Sequence, residues 1–172
     1  MINTLKWLTG AALMVGLVAP SSAFAASDAN IHGVQAAQVS LADAVTAAQS
    51  AAAGKAIYGK YDTRDNAGVY EIVVVSEGKT NTMDVDPATG KAIKAKREEA
   101  GKTDKKGAMT IEKAQVGLSA AISTAEMEGG KALEAMLDTK KNATAYEVEV
   151  ANGDKTSTVW VDVNTGKIIK KS

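Results

Sequence analysis

The residues that most resemble a ligand-binding motif are acidic and lie in two related loops. In the first loop, Asp84 and Asp86 precede Thr89-Gly90 with a spacing that faintly resembles a calcium-binding loop. In the second, Trp160 stands where the first has Asp84, and neither loop continues to the distal glutamate that such a site uses. We therefore expect no metal. The aspartates should instead accept hydrogen bonds from backbone amides, and the glycines should supply a positive φ. The residues of this predicted turn motif are Asp86, Thr89, Gly90, Lys91, Asp162, Thr165, Gly166 and Lys167.

The composition excludes most other chemistry. The 172 residues include no cysteine and one histidine, His32. Disulfides, thiolate metal sites and cysteine nucleophiles are therefore excluded, and a histidine-based catalytic pair could use only His32. Twenty basic residues balance twenty acidic ones, so no net charge attracts the chain to nucleic acid. We predict that the protein is not an enzyme and has neither a metal ion nor another cofactor.

Three aromatic side chains are candidates for a binding surface: Tyr58, Tyr61 and Trp160. A pocket between two repeats, lined by these residues, would accept a small ligand. Trp160 lies in an alternating strand, and two interpretations of it stay open. On an exposed sheet face, it would be the kind of aromatic residue that dominates protein–protein binding energy. Beneath a helix, it would belong to the core.

The first 25 residues are typical of a secretory leader. Lys6 is the only charged residue before Asp28, and an almost wholly apolar run extends over 7–19. Ala23-Phe24-Ala25 has small residues at the two positions that a signal peptidase reads, so we expect cleavage after Ala25. The run is shorter than the ~20 residues that span a bilayer, which disfavours a retained anchor. The mature protein is therefore predicted to be periplasmic or secreted, without stable membrane insertion.

The rest of the chain is an internal repeat. Tyr-Glu-Ile-Val-Val at 70–74 recurs as Tyr-Glu-Val-Glu-Val at 146–150, and Val-Asp-Pro-Ala-Thr-Gly-Lys at 85–91 recurs as Val-Asp-Val-Asn-Thr-Gly-Lys at 161–167. Both pairs are 76 residues apart (70 to 146 and 85 to 161). Upstream, Ser40-Leu41 resembles Thr110-Ile111 at the shorter separation of 70 residues (40 to 110). This difference predicts a longer helix, or a larger exit loop, in the second repeat.

Each repeat is predicted to be a helix followed by strands. Ser40 is a predicted N-cap for the first helix, and Thr110 should cap a second helix whose wider apolar stripe reaches Ala125. Alternating apolar and polar residues then predict half-buried antiparallel strands, with hairpin turns at 77–78 and 153–154. The expected fold class is α+β, with two tandem repeats, each an N-terminal helix packed on a small antiparallel β-sheet of about four strands.

The domain boundaries follow from this pattern. The predicted order is a leader (1–25), a flexible N-terminal tail (26–38), a first repeat (39–96), a charged linker (97–108) and a second repeat (109–172). The tail is inferred from a lack of periodicity, and the linker from a run of charged residues with little apolar content.

This order of elements resembles the PepSY domain, present here twice over about 39–94 and 109–171. The residues that carry the resemblance are Tyr70, Val85, Asp86, Thr89, Gly90, Lys91, Tyr146, Val161, Asp162, Thr165, Gly166 and Lys167. The resemblance implies an extracytoplasmic, non-catalytic module of the kind found in propeptides of secreted metallopeptidases and in membrane-linked regulators. Such modules are usually proposed to bind or inhibit peptidases. The implied fold is a helix on an antiparallel sheet, similar to the tandem units of the beta-lactamase inhibitor protein.

Two functions remain open at this point. The first is an exported protein-binding module that modulates or inhibits its partner, an exported peptidase or a membrane-linked envelope regulator. The second is a periplasmic accessory, ligand-binding or envelope-stress protein with no peptidase target.

Overall fold

The computed structural model describes residues 26–99, 102–140 and 143–172. The first repeat contains α1 (Asp28–Ala36), α2 (Leu41–Ala52), β1 (Lys55–Arg64), β2 (Ala67–Ser76), β3 (Lys79–Val85) and β4 (Ala92–Glu99). The second repeat contains α3 (Lys102–Lys113), α4 (Leu118–Glu126), β5 (Lys131–Lys140), β6 (Ala143–Asn152), β7 (Lys155–Asp162) and β8 (Ile168–Lys171). The predicted leader, 1–25, lies outside the described residues.

The strands of both repeats form one antiparallel sheet in the order β4-β3-β2-β1-β5-β6-β7-β8. The turns predicted at 77–78 and 153–154 connect β2 to β3 and β6 to β7. Glu77 and Gly78 have φ angles of 51° and 71°, which is the geometry that two-residue hairpins favour. The repeats meet where β1 pairs with β5.

The junction between the repeats is a local two-fold axis. β1 and β5 share the residue pairs Tyr58↔Met136, Gly59↔Ala135 and Lys60↔Glu134. Tyr58 and Glu134 are 76 residues apart, which is the repeat separation. When each residue is replaced by its counterpart in the other repeat, the pair Tyr58↔Met136 becomes the pair Lys60↔Glu134. The pair Gly59↔Ala135 is unchanged. The axis therefore passes through the pair formed by Gly59 and Ala135.

The inner face of the sheet packs against α2 and α4, which also contact each other. Alternate residues of β2 and β6 are buried on this face: Tyr70, Ile72, Val74, Tyr146, Val148 and Val150. A Cβ atom at Gly59 would lie 2.9 Å from Ile72 Cδ1 and 3.3 Å from Leu41 Cδ1. The glycine thus permits the close approach of α2 to the centre of the sheet. One core of buried residues includes members of both repeats.

Residues that we predicted to be a flexible tail form α1 instead. Ser27 caps this helix, because its Oγ accepts a hydrogen bond from the amide of Asn30 at 3.3 Å. Ile31 and Val34 are buried, since α1 packs against β1 and β5. The prediction of a mobile segment is therefore wrong over Asp28–Ala36. The helix buries only two large apolar residues, too few to produce a recognisable apolar stripe in the sequence.

The predicted charged linker, 97–108, also contains regular structure. β4 continues to Glu99, and α3 begins at Lys102. α3 precedes α4 as α1 precedes α2, so it is the second-repeat counterpart of α1. Ile111 of α3 is buried, and its carbonyl accepts a hydrogen bond from Lys55 Nζ at 3.2 Å. A high density of charge concealed this helix in the sequence, and its buried residue Ile111 lies near its C-terminal end.

The single helix predicted from Thr110 to Ala125 is two helices. α3 ends at Lys113 and α4 begins at Leu118, with Gly117 as the N-cap of α4. Ser40 occupies the same position before α2, so its counterpart is Gly117, 77 residues away (40 to 117), and not Thr110. The upstream separation of 70 residues is therefore wrong, and α3 accounts for the apolar residues that suggested a longer helix.

The α+β class and the packing of helices on an antiparallel sheet are confirmed. The architecture differs from the expectation because each repeat has two helices and the repeats share one sheet. Sharing is favourable because β1 and β5 would each expose an edge of unpaired backbone groups if the repeats folded apart.

Candidate functional site

The sheet face opposite α2 and α4, here called the outer face, carries the chemically distinctive side chains. Residues that pair across strands point to the same side of a sheet. One row across the outer face is therefore Thr82, Val73, Tyr58, Met136, Glu147, Trp160 and Lys170. The adjacent row is Asp84, Glu71, Lys60, Glu134, Glu149 and Thr158. Most of these side chains are half-exposed, so they are available to a partner.

Tyr58 and Glu134 join the two repeats at the axis. The Tyr58 hydroxyl donates a hydrogen bond to Glu134 Oε1 at 2.7 Å. Burial raises the pKa of Tyr58 well above its usual range, and the hydrogen bond and charge of Glu134 raise it further. Burial also raises the pKa of Glu134, while the hydrogen bond from Tyr58 and the charge of Lys60 oppose that shift. The phenol consequently stays protonated and acts as a donor.

In the first repeat, an ion-pair network around Arg64 fills the outer face. Arg64 contacts Asp62 at 3.4 Å, Asp84 at 3.1 Å and also Glu71. Lys60 lies 3.6 Å from Asp62. The acidic side chains of this half therefore have basic partners within the same repeat.

The second repeat has different chemistry at the same positions. Met136, Glu147 and Trp160 replace Lys60, Glu71 and Asp84. Glu147 and Trp160 are directly opposite each other on β6 and β7. Lys170 Nζ lies 4.3 Å from the centroid of the Trp160 ring, a cation–π contact. This half thus combines a thioether, a carboxylate and an aromatic ring.

Glu149 is the buried acid of the outer face. It is 3% exposed and lies directly opposite Glu134. Within the described part of the chain, its Oε2 has no hydrogen-bond partner. Burial raises the pKa of Glu149 to about 7, a hydrogen bond to Thr156 opposes the shift, and the charge of Glu134 adds to it. A buried carboxylate with an unsatisfied oxygen is destabilising when it is ionised.

The structure separates the three aromatic residues that we expected to line one pocket. Tyr58 and Trp160 lie in one row of the outer face, with β5 and β6 between them. Tyr61 lies on the inner face, 6% exposed, with its ring edge against Tyr70 at a centroid distance of 5.4 Å. The predicted common pocket is therefore wrong, because strand alternation puts residues 58 and 61 on opposite faces. Trp160 is half-exposed, which favours its interpretation as a surface residue.

The first Asp-x-x-Thr-Gly turn is organised by Asp86. Its Oδ1 accepts hydrogen bonds from the amides of Ala88 and Thr89 at 2.7 and 3.1 Å. Gly90 has a φ of 72° and donates its amide to the Asp86 carbonyl at 2.8 Å. The Lys91 amide donates to Thr89 Oγ1 at 3.4 Å.

The second turn has the same geometry around Asp162. Its Oδ1 accepts from the amides of Asn164 and Thr165 at 3.0 and 2.8 Å and from the Thr165 hydroxyl at 2.9 Å. The Thr165 amide and hydroxyl, with the Asn164 amide, hold the pKa of Asp162 below its usual range. Gly166 has a φ of 67°, and the Lys167 amide donates to Thr165 Oγ1 at 3.4 Å.

These turns connect the sheet to the start of a helix. The Pro87 carbonyl accepts the amides of Gln38 and Val39 at 3.1 and 3.0 Å. The Tyr70 hydroxyl donates to the Val39 carbonyl at 2.7 Å. The second repeat makes the same contacts around Val163. The turn, the tyrosine and the segment before the helix therefore form one structural unit in each repeat.

A groove of about 540 Å³ lies between α3 and the turn that joins β2 to β3. Its surface is mainly apolar and includes Val75, Met109 and Ile111, with Glu112 as an acidic member. Met109 is 59% exposed. The groove is separate from the outer-face rows described above.

Two further properties concern the ranges 26–99, 102–140 and 143–172. Within them, no group of three or more histidine, aspartate or glutamate side chains is placed to hold a metal ion. No helix in these ranges combines the length and hydrophobicity needed to cross a membrane.

Sequence reasoning missed the charged part of the outer face. Glu134, Glu149 and Arg64 are absent from the predicted site residues, although alternation does place Glu149 on the polar side of its strand. The pairing of β1 with β5 is what brings Glu134 to Tyr58. No local sequence pattern specifies that pairing.

The fold and this surface define a class: a tandem-repeat α+β protein whose distinctive surface is a sheet face. The family model for PepSY, described as "Peptidase propeptide and YPEB domain", matches residues 38–96 and 115–171. These regions make up more than half of the sequence, so the chain belongs to the PepSY family, and the predicted resemblance is confirmed.

Among solved structures, the chain is similar to a candidate lipoprotein from Clostridium difficile 630. The two are 21% identical, the match covers 80% of this chain and 95% of that chain, and the TM-score is 0.49. Comparison with curated protein sequences gave no match.

Proposed function

We propose that this protein is a non-catalytic, exported module that binds a protein partner and modulates or inhibits it. The partner class is an exported peptidase or a membrane-linked envelope regulator. Membership of a family described by peptidase propeptides supports a peptidase as the partner. The predicted leader supports export to the periplasm or the exterior.

The observation that carries this proposal is the position of Trp160. Trp160 is half-buried on the outer face, in one row with Tyr58 and Met136. Aromatic and methionine side chains are enriched at protein interfaces, and aromatic residues often dominate the binding energy. A broad sheet face also suits a protein surface better than a small molecule, which usually binds in a concave pocket.

The test uses the whole chain without its leader, residues 26–172, because the repeats share one sheet and one core. This form is titrated against peptidases purified from the same cell envelope. We expect saturable binding that slows a peptidase while the chain stays intact. Rapid cleavage of the chain, or no binding to any peptidase in the panel, would contradict the proposal.

The groove beside α3 favours a second candidate function, that of an accessory protein that binds a small ligand. Its volume of about 540 Å³ falls within the range of small-molecule sites. A thermal-shift screen of apolar small molecules tests this function. A ligand-dependent rise in melting temperature that Met109→Glu abolishes, together with no peptidase binding, would favour it over the first.

A further inference from the structure

In the first repeat, a basic side chain lies beside Glu71, whose counterpart in the second repeat is Glu147. The guanidinium of Arg64 contacts both Glu71 and Asp84. In the second repeat the counterparts of Glu71 and Asp84 are Glu147 and Trp160, which are directly opposite each other, and the residue at the position of Arg64 in the sequence is Lys140. A carboxylate binds a guanidinium or an ammonium through charge-assisted hydrogen bonds, and an indole ring binds either through its π face. The second-repeat position therefore retains groups that bind a cation.

The second repeat also places a cation of its own on Trp160. Lys170 Nζ lies 4.3 Å from the ring centroid, and the Lys170 side chain is exposed. The ring face of Trp160 therefore contacts an ammonium group that belongs to an exposed side chain. An incoming cation can replace Lys170 without breaking a buried contact.

Glu149 adds a buried carboxylate to this surface. It is 3% exposed, its Oε2 has no hydrogen-bond partner among the described residues, and it lies opposite Glu134. Glu147 lies two residues away on the same side of β6. Three carboxylates at neighbouring positions of β5 and β6 create a negative potential that favours a cationic ligand.

We propose that Glu147 and Trp160 form a receptor site for a lysine or arginine side chain of the bound protein. Glu134 and Glu149 supply the surrounding negative charge, and Lys170 is the internal group that the ligand displaces. This inference rests on the proposed function, because it specifies the chemistry of the partner segment that contacts the outer face. The expected segment is basic and surface-accessible.

The probe is an acetylated, amidated tetra-arginine peptide, and the matched control is the tetra-citrulline peptide, which has a similar shape without the charge. Binding to residues 26–172 is measured by calorimetry at low ionic strength, where electrostatic screening is weak. The arginine peptide should bind saturably and the citrulline peptide should not. Glu147→Gln should weaken binding roughly tenfold, because a charge-assisted contact is lost. Lys170→Gln should strengthen it about threefold, because the internal competitor is removed.

The matched control variant is Glu71→Gln, at the same position of the first repeat, where Arg64 already occupies the site. It should change the affinity by less than about twofold. Equal weakening by Glu147→Gln and Glu71→Gln would indicate diffuse attraction to an acidic surface and would overturn the inference. Trp160→Leu provides a second variant, expected to weaken binding without changing the charge. Far-ultraviolet circular dichroism confirms that each variant is folded.

The result also separates this inference from the proposed function. If a peptidase binds the parent chain and Glu147→Gln equally well while tetra-arginine does not bind, the proposed function stands and the receptor site is refuted. If tetra-arginine binds as expected but no peptidase does, the receptor site stands and the proposed function is refuted.

Discussion

Tyr58 and Glu134 occupy equivalent positions in the two repeats, and the hydroxyl of one donates to the carboxylate of the other at 2.7 Å. This contact exists because the local axis brings the two positions together. Identical residues would place two phenols or two carboxylates side by side at the axis, and paired carboxylates repel each other. Because the two repeats have different residues at this position, Tyr58 can donate a hydrogen bond and Glu134 can accept it at the centre of the sheet.

Replacement of Tyr58 by phenylalanine should reduce stability by about 1–2 kcal/mol, because the Glu134 carboxylate loses a hydrogen bond in a partly buried position. Urea denaturation at pH 7 measures the change. Tyr61→Phe is the matched control, since no hydrogen bond of the Tyr61 hydroxyl is described and its ring is retained. An equal loss in both variants would show that the Tyr58–Glu134 bond has no special importance.

Glu149 should make the protein less stable as the pH rises. Burial is the main cause that raises the pKa of Glu149 from its ordinary value of 4.5 to about 7 in the folded state. The folded state therefore binds more protons than the unfolded state between these values, so stability present near pH 4.5 is lost as the pH rises through 7. Glu149→Gln should remove about 2–4 kcal/mol of this pH dependence between pH 5 and pH 8.

The control for Glu149 is Glu147→Gln, on the same strand and face but half-exposed. It should change the dependence of unfolding free energy on pH less than Glu149→Gln does, because the charge of Glu147 is a smaller cause than burial of the raised pKa of Glu134. Glu126 and Glu134, whose pKa values burial also raises, act in the same direction and account for any residual slope. If the unfolding free energy of Glu149→Gln depends on pH as strongly as that of the parent chain, the assignment of this pH dependence to Glu149 is contradicted.

Loss of the turn aspartate should destabilise the second repeat without any involvement of calcium. Asp162→Ala removes the acceptor for two backbone amides and one hydroxyl, and should cost about 1–2 kcal/mol. Asp86→Ala should behave similarly. The measurement is chemical denaturation with and without a chelator, and Asp154→Ala, at an exposed turn residue, is the control. A loss that appears only when calcium is present would restore a metal role.

Neither repeat should fold alone. Fragments 26–99 and 102–172 would each lose the pairing of β1 with β5 and the contact between α2 and α4. We expect broad, weakly cooperative urea transitions for the separate fragments and a sharp transition for the whole chain. Mixing the fragments provides the control, because association should restore cooperativity. A fragment as stable as the whole chain would show that the shared core is dispensable.

The sequence predicts the parts of the fold that have a short-range signal. The constant separation between repeats locates the turns at Asp86 and Asp162, and alternation predicts the central strands of each repeat. The same alternation, applied strictly, separates Tyr58 from Tyr61. Their assignment to one pocket is an error of reasoning from the sequence and not a limit of the sequence.

Other features depend on long-range contacts that leave no local pattern. α1 is stabilised by burial of Ile31 and Val34 against strands of both repeats, so its own sequence gives little indication of a helix. The candidate site depends likewise on the pairing of Met136 with Tyr58, which a list of strands cannot specify. The outer face could therefore be predicted as a set of alternating residues but not as a surface that crosses both repeats.

The most direct test of the account is an inhibition titration of a co-exported peptidase with the parent chain and with Trp160→Ala. Trp160 lies within the row that we assign to the interface and is half-exposed, so its removal should leave the fold intact. The account predicts saturable inhibition by the parent chain and at least about tenfold weaker inhibition by the variant, the magnitude expected for an aromatic hot spot. Equal inhibition by the two proteins would place the interface elsewhere, and no inhibition by the parent chain would contradict the proposed function.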